Sequence, residues 1–186
     1  MYGLNATLDE SGYIWMFGGS GASYAQNGLW RLNTNTGMWA LMKGNANNAA
    51  ETISVKGNSG VEGSSYTPSS RYWSLIWYDK HGYIWIFGGY GYNTNAASGY
   101  LNDLWRYNIA TNQWAWISGS PANASPSGAG MGTKNQININ NVIGARAAGL
   151  AVYDNTYVYQ FGGYGVDSAA AYGSLNTFSR TKLYTN

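Results

Sequence analysis

An eight-residue run that returns with hardly a change restricts this chain more than any other feature. Gly12-Tyr13-Ile14-Trp15-Met16-Phe17-Gly18-Gly19 comes back as Gly82-Tyr83-Ile84-Trp85-Ile86-Phe87-Gly88-Gly89, and a third copy reads Tyr157-Val158-Tyr159-Gln160-Phe161-Gly162-Gly163. With 4 Phe and 26 Gly in 186 residues, chance supplies only about 0.08 Phe-Gly-Gly triplets, so composition does not explain the three copies. Trp30 and Trp105, Trp39 and Trp114, and Arg71 and Arg146 each stand 75 residues apart. Such a chain is a series of one supersecondary unit, each unit burying its faces against its neighbours.

The unit reads as four antiparallel strands. The first spans 2–9, 72–79 and 147–154, and the second ends at each double glycine. The third contains Trp30, Trp105 or Ser179, and the fourth contains Trp39 or Trp114. Alternation within Gln113-Trp114-Ala115-Trp116-Ile117 sends Trp114 and Trp116 to one face and Ala115 to the other, so that the aromatic face can pack on the next unit. Hydrophobic residues at 45% with charged residues at only 10%, much of the remainder being Gly and Asn, suit strands joined by turns rather than helices.

Around the third strand the chain reads Leu29-Trp30-Arg31-Leu32-Asn33 with Trp39 downstream, then Leu101-Asn102-Asp103-Leu104-Trp105-Arg106-Tyr107-Asn108 with Trp114 downstream. An apolar strand ending in a double glycine, an Asn-Asp-Leu-Trp-like strand and a later Trp resemble the kelch-repeat β-propeller family. The long spacing is similar to that of galactose-oxidase-type kelch proteins with inserts between blades. The resemblance covers nearly the whole chain and implies an all-β fold, a β-propeller segment of about three four-stranded antiparallel blades. These lie at about 2–44, 72–120 and 147–186, with inserts at about 43–70 and 118–144. The third blade departs from the motif, with Ser179 in place of the Trp and no counterpart of Trp39 or Trp114, so it is expected to lack its last strand.

Phe17, Gly18, Gly19, Trp30 and Trp39 read as structural repeat residues, as do Phe87, Gly88, Gly89, Trp105 and Trp114, and Phe161, Gly162 and Gly163. A glycine without Cβ permits the close approach and positive φ needed where a strand stops. Arg31, Arg106 and Arg180 hold equivalent third-strand places and read as a repeated structural arginine that bonds neighbouring carbonyls and covers an aromatic face. Propellers close with 4 to 8 blades. The chain is therefore expected to be part of a larger ring, its further blades coming from the same or another chain, with pairing of two copies as the alternative.

Antiparallel strands put the loops from strand two to three, and from strand four to the next blade, on one face. Turns such as 9–12, 79–82 and 108–112 make the opposite face plain, whereas 90–100, 164–174 and the two inserts make the first face rich in long irregular loops, where binding usually resides. Tyr90, Tyr92, Tyr100, Tyr164 and Tyr172 give that face flat amphipathic surfaces suited to a protein or a glycan partner, or to pinning their own loops.

Catalysis is not expected. One His, His81 in a tight turn, and no Cys leave no triad and no metal cluster. The copper site that the galactose-oxidase resemblance suggests needs a Cys-linked Tyr and two His, so the resemblance carries over fold alone, and no cofactor or metal is expected. Asp103 and Asp167 are lone carboxylates on the loop-rich face. A net charge of +2 without a basic run argues against nucleic acid, and no apolar stretch reaches the roughly 18 residues of a spanning helix. Three readings follow: a non-catalytic binding or scaffold module, a structural subunit of an extracellular or cell-surface assembly, and the non-catalytic part of a carbohydrate-active enzyme. Low Lys and Glu content and Asn- and Gly-rich loops point to an extracellular or cell-surface location. Asn5 and Asn123 head glycosylation sequons.

Overall fold

The computed structural model describes residues 2–21, 24–45, 52–120, 143–167 and 171–183, and every regular element among them is a β-strand. The first sheet runs in chain order through β1 (Ala6–Leu8), β2 (Tyr13–Phe17), β3 (Leu29–Asn33) and β4 (Trp39–Lys43), all antiparallel. A short β5 (Glu62–Gly63) follows. The second repeat holds β6 (Arg71–Tyr72), β7 (Leu75–Tyr78), β8 (Tyr83–Phe87), β9 (Tyr90–Tyr92), β10 (Ser98–Tyr100), β11 (Leu104–Asn108) and β12 (Gln113–Ser118). The third holds β13 (Arg146–Ala147), β14 (Leu150–Tyr153), β15 (Tyr157–Phe161), β16 (Tyr164–Val166), β17 (Tyr172–Ser174) and β18 (Phe178–Lys182). Blade two is the sheet β7-β8-β11-β12, and blade three is β14-β15-β18 with no fourth strand among the described residues.

The first strands are shorter than the sequence suggests. Gly3, Trp73 and Ala148 hold equivalent places and all have positive φ, at 74°, 57° and 59°. That kink ends the extended run, so β6 and β13 leave their blades and pair instead with β9 and β16. The kinks are tied from blade to blade: the Trp73 amide donates to the Gly3 carbonyl at 2.6 Å, and the Ala148 amide donates to the Trp73 carbonyl at 3.0 Å.

Register decides which side chains share a face. In blade two, Ile76, Ile86, Trp105 and Trp116 stand opposite one another, as do Ile84, Tyr107 and Trp114. This face packs on Trp15, Phe17 and Leu29 of blade one. The reverse face, with Leu75, Trp77, Trp85, Phe87 and Leu104, packs toward Val158, Ala151 and Tyr153 of blade three. Each large apolar side chain so buried contributes roughly 1.5–3 kcal/mol.

Among the described residues, no blade covers either end face. Trp39 sits in the fourth strand as expected but is 52% exposed, whereas Trp114, its repeat equivalent, is 0% exposed. The physical reason is positional, since no blade packs on that side of blade one among the described residues. Leu150, Val152, Phe161 and Phe178 are exposed on the outer side of blade three for the same reason.

Polar groups repeat as regularly as the apolar ones. Asp9 closes its turn by accepting the Ser11 and Tyr13 amides, and its second oxygen accepts Trp15 Nε1 at 2.7 Å. Asp79 does the same for His81, Tyr83 and Trp85. Arg31, Arg106 and Arg180 lie over Tyr13, Tyr83 and Tyr157 at 4.4, 4.4 and 4.6 Å, as the repeat position implies. The second glycine of each pair joins blades, the Gly19 amide donating to the Arg71 carbonyl at 2.9 Å and the Gly89 amide to the Arg146 carbonyl at 2.8 Å.

The insert at 43–70 departs from its expected place on the loop-rich face. Its β5 pairs with the outer edge of β12, and Lys56 Nζ lies 3.6 Å from the Trp116 ring centroid. Glu62 reaches the tight turns of the opposite face, where Asn108 Nδ2 and Thr111 Oγ1 donate to its carboxylate at 2.9 and 2.8 Å. The edge of β12 is a row of backbone groups needing partners, which explains why the insert lies along it. Most of the second insert, 118–144, lies outside the described residues.

Candidate functional site

The segments 90–100 and 164–174, expected as irregular loops, are built as hairpins. β9 pairs with β10, placing Tyr90 opposite Tyr100, and β16 pairs with β17, placing Val166 opposite Tyr172. Asn93 turns the first hairpin by accepting the Asn95 and Ala97 amides. β6 and β13 extend each hairpin into a three-stranded sheet. Side chains here are therefore held by strand pairing rather than by loop packing, a more rigid platform than the sequence suggests.

Across these sheets runs a continuous aromatic ladder. Tyr90 lies 5.1 Å from Tyr100, and Tyr100 lies 5.7 Å from Tyr164 and 6.0 Å from Tyr172, ring centroid to ring centroid. In the other direction Tyr90 meets Tyr72 at 5.5 Å, and Tyr72 meets Trp73 at 4.8 Å and Tyr2 at 5.9 Å. Four of the five tyrosines singled out from sequence are thus brought into one surface that crosses from blade to blade. Tyr92, half-buried two residues beyond Tyr90, shares its side of the hairpin.

Sequence reasoning missed Tyr2, Tyr72 and Trp73. Trp73 is exposed and carries a bulky side chain at a left-handed position where the other two blades have Gly and Ala, an arrangement costing roughly 1–3 kcal/mol. The signal was available, because all three lie at the start of a repeat.

The ladder is built from tyrosine and tryptophan rings alone. Burial, followed by the neighbouring Tyr90 hydroxyl, holds the Tyr72 hydroxyl above the ordinary phenol range, and burial followed by Tyr164 does the same for Tyr100. Tyr164, Tyr172, Tyr2 and Trp73 expose much of their rings. The surface offers flat apolar area with hydroxyl donors and no charge requirement, suited to stacking and hydrogen bonding.

The remaining polar residues singled out from sequence lie elsewhere. Asp103 is a correction: it is no open carboxylate but fully buried, gripped by Arg71 through 2.5 and 2.7 Å contacts and by Trp105 Nε1 at 2.7 Å. Asp167 accepts the Ala171 amide in the turn of the second hairpin. His81 is exposed in its tight turn. Asn5 Nδ2 donates to the Ser74 carbonyl at 2.7 Å, which ties it into the seam with blade two, and Asn123 lies outside the described residues. No helix among the described residues is long and apolar enough to cross a membrane.

Residues 81–115, the heart of blade two, match the family model described as Kelch motif. Blade two thus carries a kelch motif. The solved structure titled "Structure of YjhT" matches with a TM-score of 0.54 at 15% identity, over 88% of this chain and 34% of that one. This chain thus spans about a third of that structure, and at this identity the likeness shows the fold alone. No curated protein matches it in sequence. The kelch motif accounts for the buried Phe87, Trp105 and Trp114, whereas the tyrosines of the hairpins other than those within 81–115 fall outside the matched segment.

Proposed function

We propose that the chain is a non-catalytic binding or scaffold module that engages a protein or glycan partner through its tyrosine-lined face, outside the cell or at its surface. The observation that carries this reading is the ladder itself, five tyrosines and a tryptophan in ring contact from Trp73 to Tyr172 on strand-paired hairpins. Core aromatic residues are explained by burial between blades, but these rings stay partly open, and a rigid aromatic surface of this kind is where binding energy concentrates. The opposite face offers tight turns with charged tips, such as Lys80 and Glu10 at 3.8 Å, which are worth little as anchors.

The test is a glycan array and a protein array probed with the 186-residue chain, followed by titration of whatever binds. Tyr100→Ala combined with Tyr172→Ala is expected to weaken binding by roughly tenfold or more without lowering the melting temperature appreciably. Lys80→Ala with His81→Ala is expected to leave affinity unchanged. Because burial raises the Tyr72 and Tyr100 hydroxyls above the ordinary phenol range, these two stay protonated and affinity should stay flat between about pH 6 and 9. Equal loss of binding from both pairs of substitutions would overturn the assignment of the face.

A further inference from the structure

Blade two buries a positive charge and pairs it. Arg71, 0% exposed, donates Nη1 to Asp103 Oδ1 at 2.5 Å and Nη2 to both Asp103 Oδ2 at 2.7 Å and Ser69 Oγ at 2.9 Å. Blade three repeats the cation without the anion. Arg146, 1% exposed, donates Nε to the Gly144 carbonyl at 3.2 Å and Nη1 to the Gly162 carbonyl at 3.2 Å. These match the bonds that Arg71 makes to the carbonyls of Ser69 and Gly88. Both acceptors of Nη2 are gone, however, because Thr177 stands where Asp103 stands and Gly144 where Ser69 stands. Thr177 Oγ1 accepts Nη1 at 3.0 Å, and Nη2 has no partner among the described residues.

Two further replacements lie on the same side of the blade. Ser179 holds the place of Trp105, whose indole nitrogen bonds Asp103, and Gln160 holds the place of Ile86. Ser179 Oγ and Gln160 Oε1 are buried with no hydrogen-bond partner, and the two residues stand opposite each other on β15 and β18. No acidic side chain among the described residues bonds Arg146. After residue 120 the only acidic residues are Asp154 and Asp167. Asp154 is committed to Thr156, Tyr157 and Tyr159 in its turn, and Asp167 to the hairpin turn at Ala171.

A guanidinium taken out of water without an opposite charge is costly, and burial pulls the pKa of Arg146 below its ordinary value. We infer that Arg146 forms an acceptor site for a small carboxylate anion, which takes the place that the Asp103 carboxylate fills in blade two, with the Thr177 and Ser179 hydroxyls as further donors. The planar fork of arginine favours a two-oxygen planar anion, and one negative charge balances the site as Asp103 balances Arg71. This site is independent of the tyrosine face.

Thermal unfolding of the 186-residue chain in sodium chloride, formate and acetate at matched ionic strength and neutral pH tests it. In formate or acetate the melting temperature should rise saturably over its value in chloride, by about 3–6 °C at ten times the half-saturating concentration. Arg146→Gln should abolish the difference. Thr177→Asp, which restores an internal partner and so also serves if Arg146→Gln does not fold, should melt higher in chloride and no longer respond to acetate. Melting temperatures that move alike in all three salts, or a Thr177→Asp chain that keeps the original acetate response, would overturn the inference.

Discussion

Single side chains in this protein do different work according to what stands beside their blade. Trp105 and Trp114 are fully enclosed between blades one and two, in edge contact with each other at 6.5 Å. Trp30, half-buried, and Trp39, exposed, occupy the same repeat positions on a face that no blade covers among the described residues. Replacing Trp105 or Trp114 by Ala should therefore cost about 3–5 kcal/mol, and Trp39→Ala less than about 1 kcal/mol, as read from urea unfolding. Similar losses at all three positions would mean that the end face of blade one is not bare. The sequence marks all four tryptophans alike, and their identity does not say which blade face has a neighbour. The Arg71–Asp103 pair was hidden for a related reason, since residues 32 positions apart meet only once strand order is known. The arginines over Tyr13, Tyr83 and Tyr157 were legible because ring and cation recur together in every copy.

Among the elements, the blade strands were readable from the repeat, while the hairpins and the first insert were not. Tyr90-Gly91-Tyr92 and Ser98-Gly99-Tyr100 alternate as strands do, but their Gly, Asn and Ser content reads equally well as loop, and only pairing with each other and with β6 settles them as sheet. Nothing local in Glu62-Gly63 announces an edge strand either, because the open edge of β12 that recruits it lies far along the chain. The double glycines, in contrast, were legible and their reason is now concrete. Gly88 has a φ of 61°, and a Cβ there would lie 2.5 Å from the Arg146 carbonyl oxygen and 2.9 Å from that of Leu101. Backbone cannot yield as a side chain would, so Gly88→Ala should destabilise by about 3 kcal/mol or more through strain and a forced opening of the seam between blades two and three. Gly37→Ala has a similar φ of 69° with open space around it, and should cost only the backbone strain of about 1–2 kcal/mol. Equal costs in denaturant titrations would show that the seam is not packed as described.

At the scale of the whole molecule, the described residues form an arc of propeller blades with two apolar ends, Trp39 and Leu41 at one and Leu150, Phe161 and Phe178 at the other. Its match to about a third of a larger propeller chain agrees with that arrangement. The blades are joined by one repeated device, in which the second glycine of a pair donates its amide to the carbonyl of the arginine that opens the next blade. Gly19 and Gly89 do so, to Arg71 and Arg146. Gly163 holds the same place in blade three, and its amide has no acceptor among the described residues. Amide hydrogen exchange of the 186-residue chain, followed residue by residue by NMR, tests this joint most directly. The expected result is strong protection of Gly19 and Gly89, approaching that of the core strands, with Gly163 exchanging orders of magnitude faster. Comparable exchange at all three glycines would contradict the stacking of the blades and, with it, the open arc.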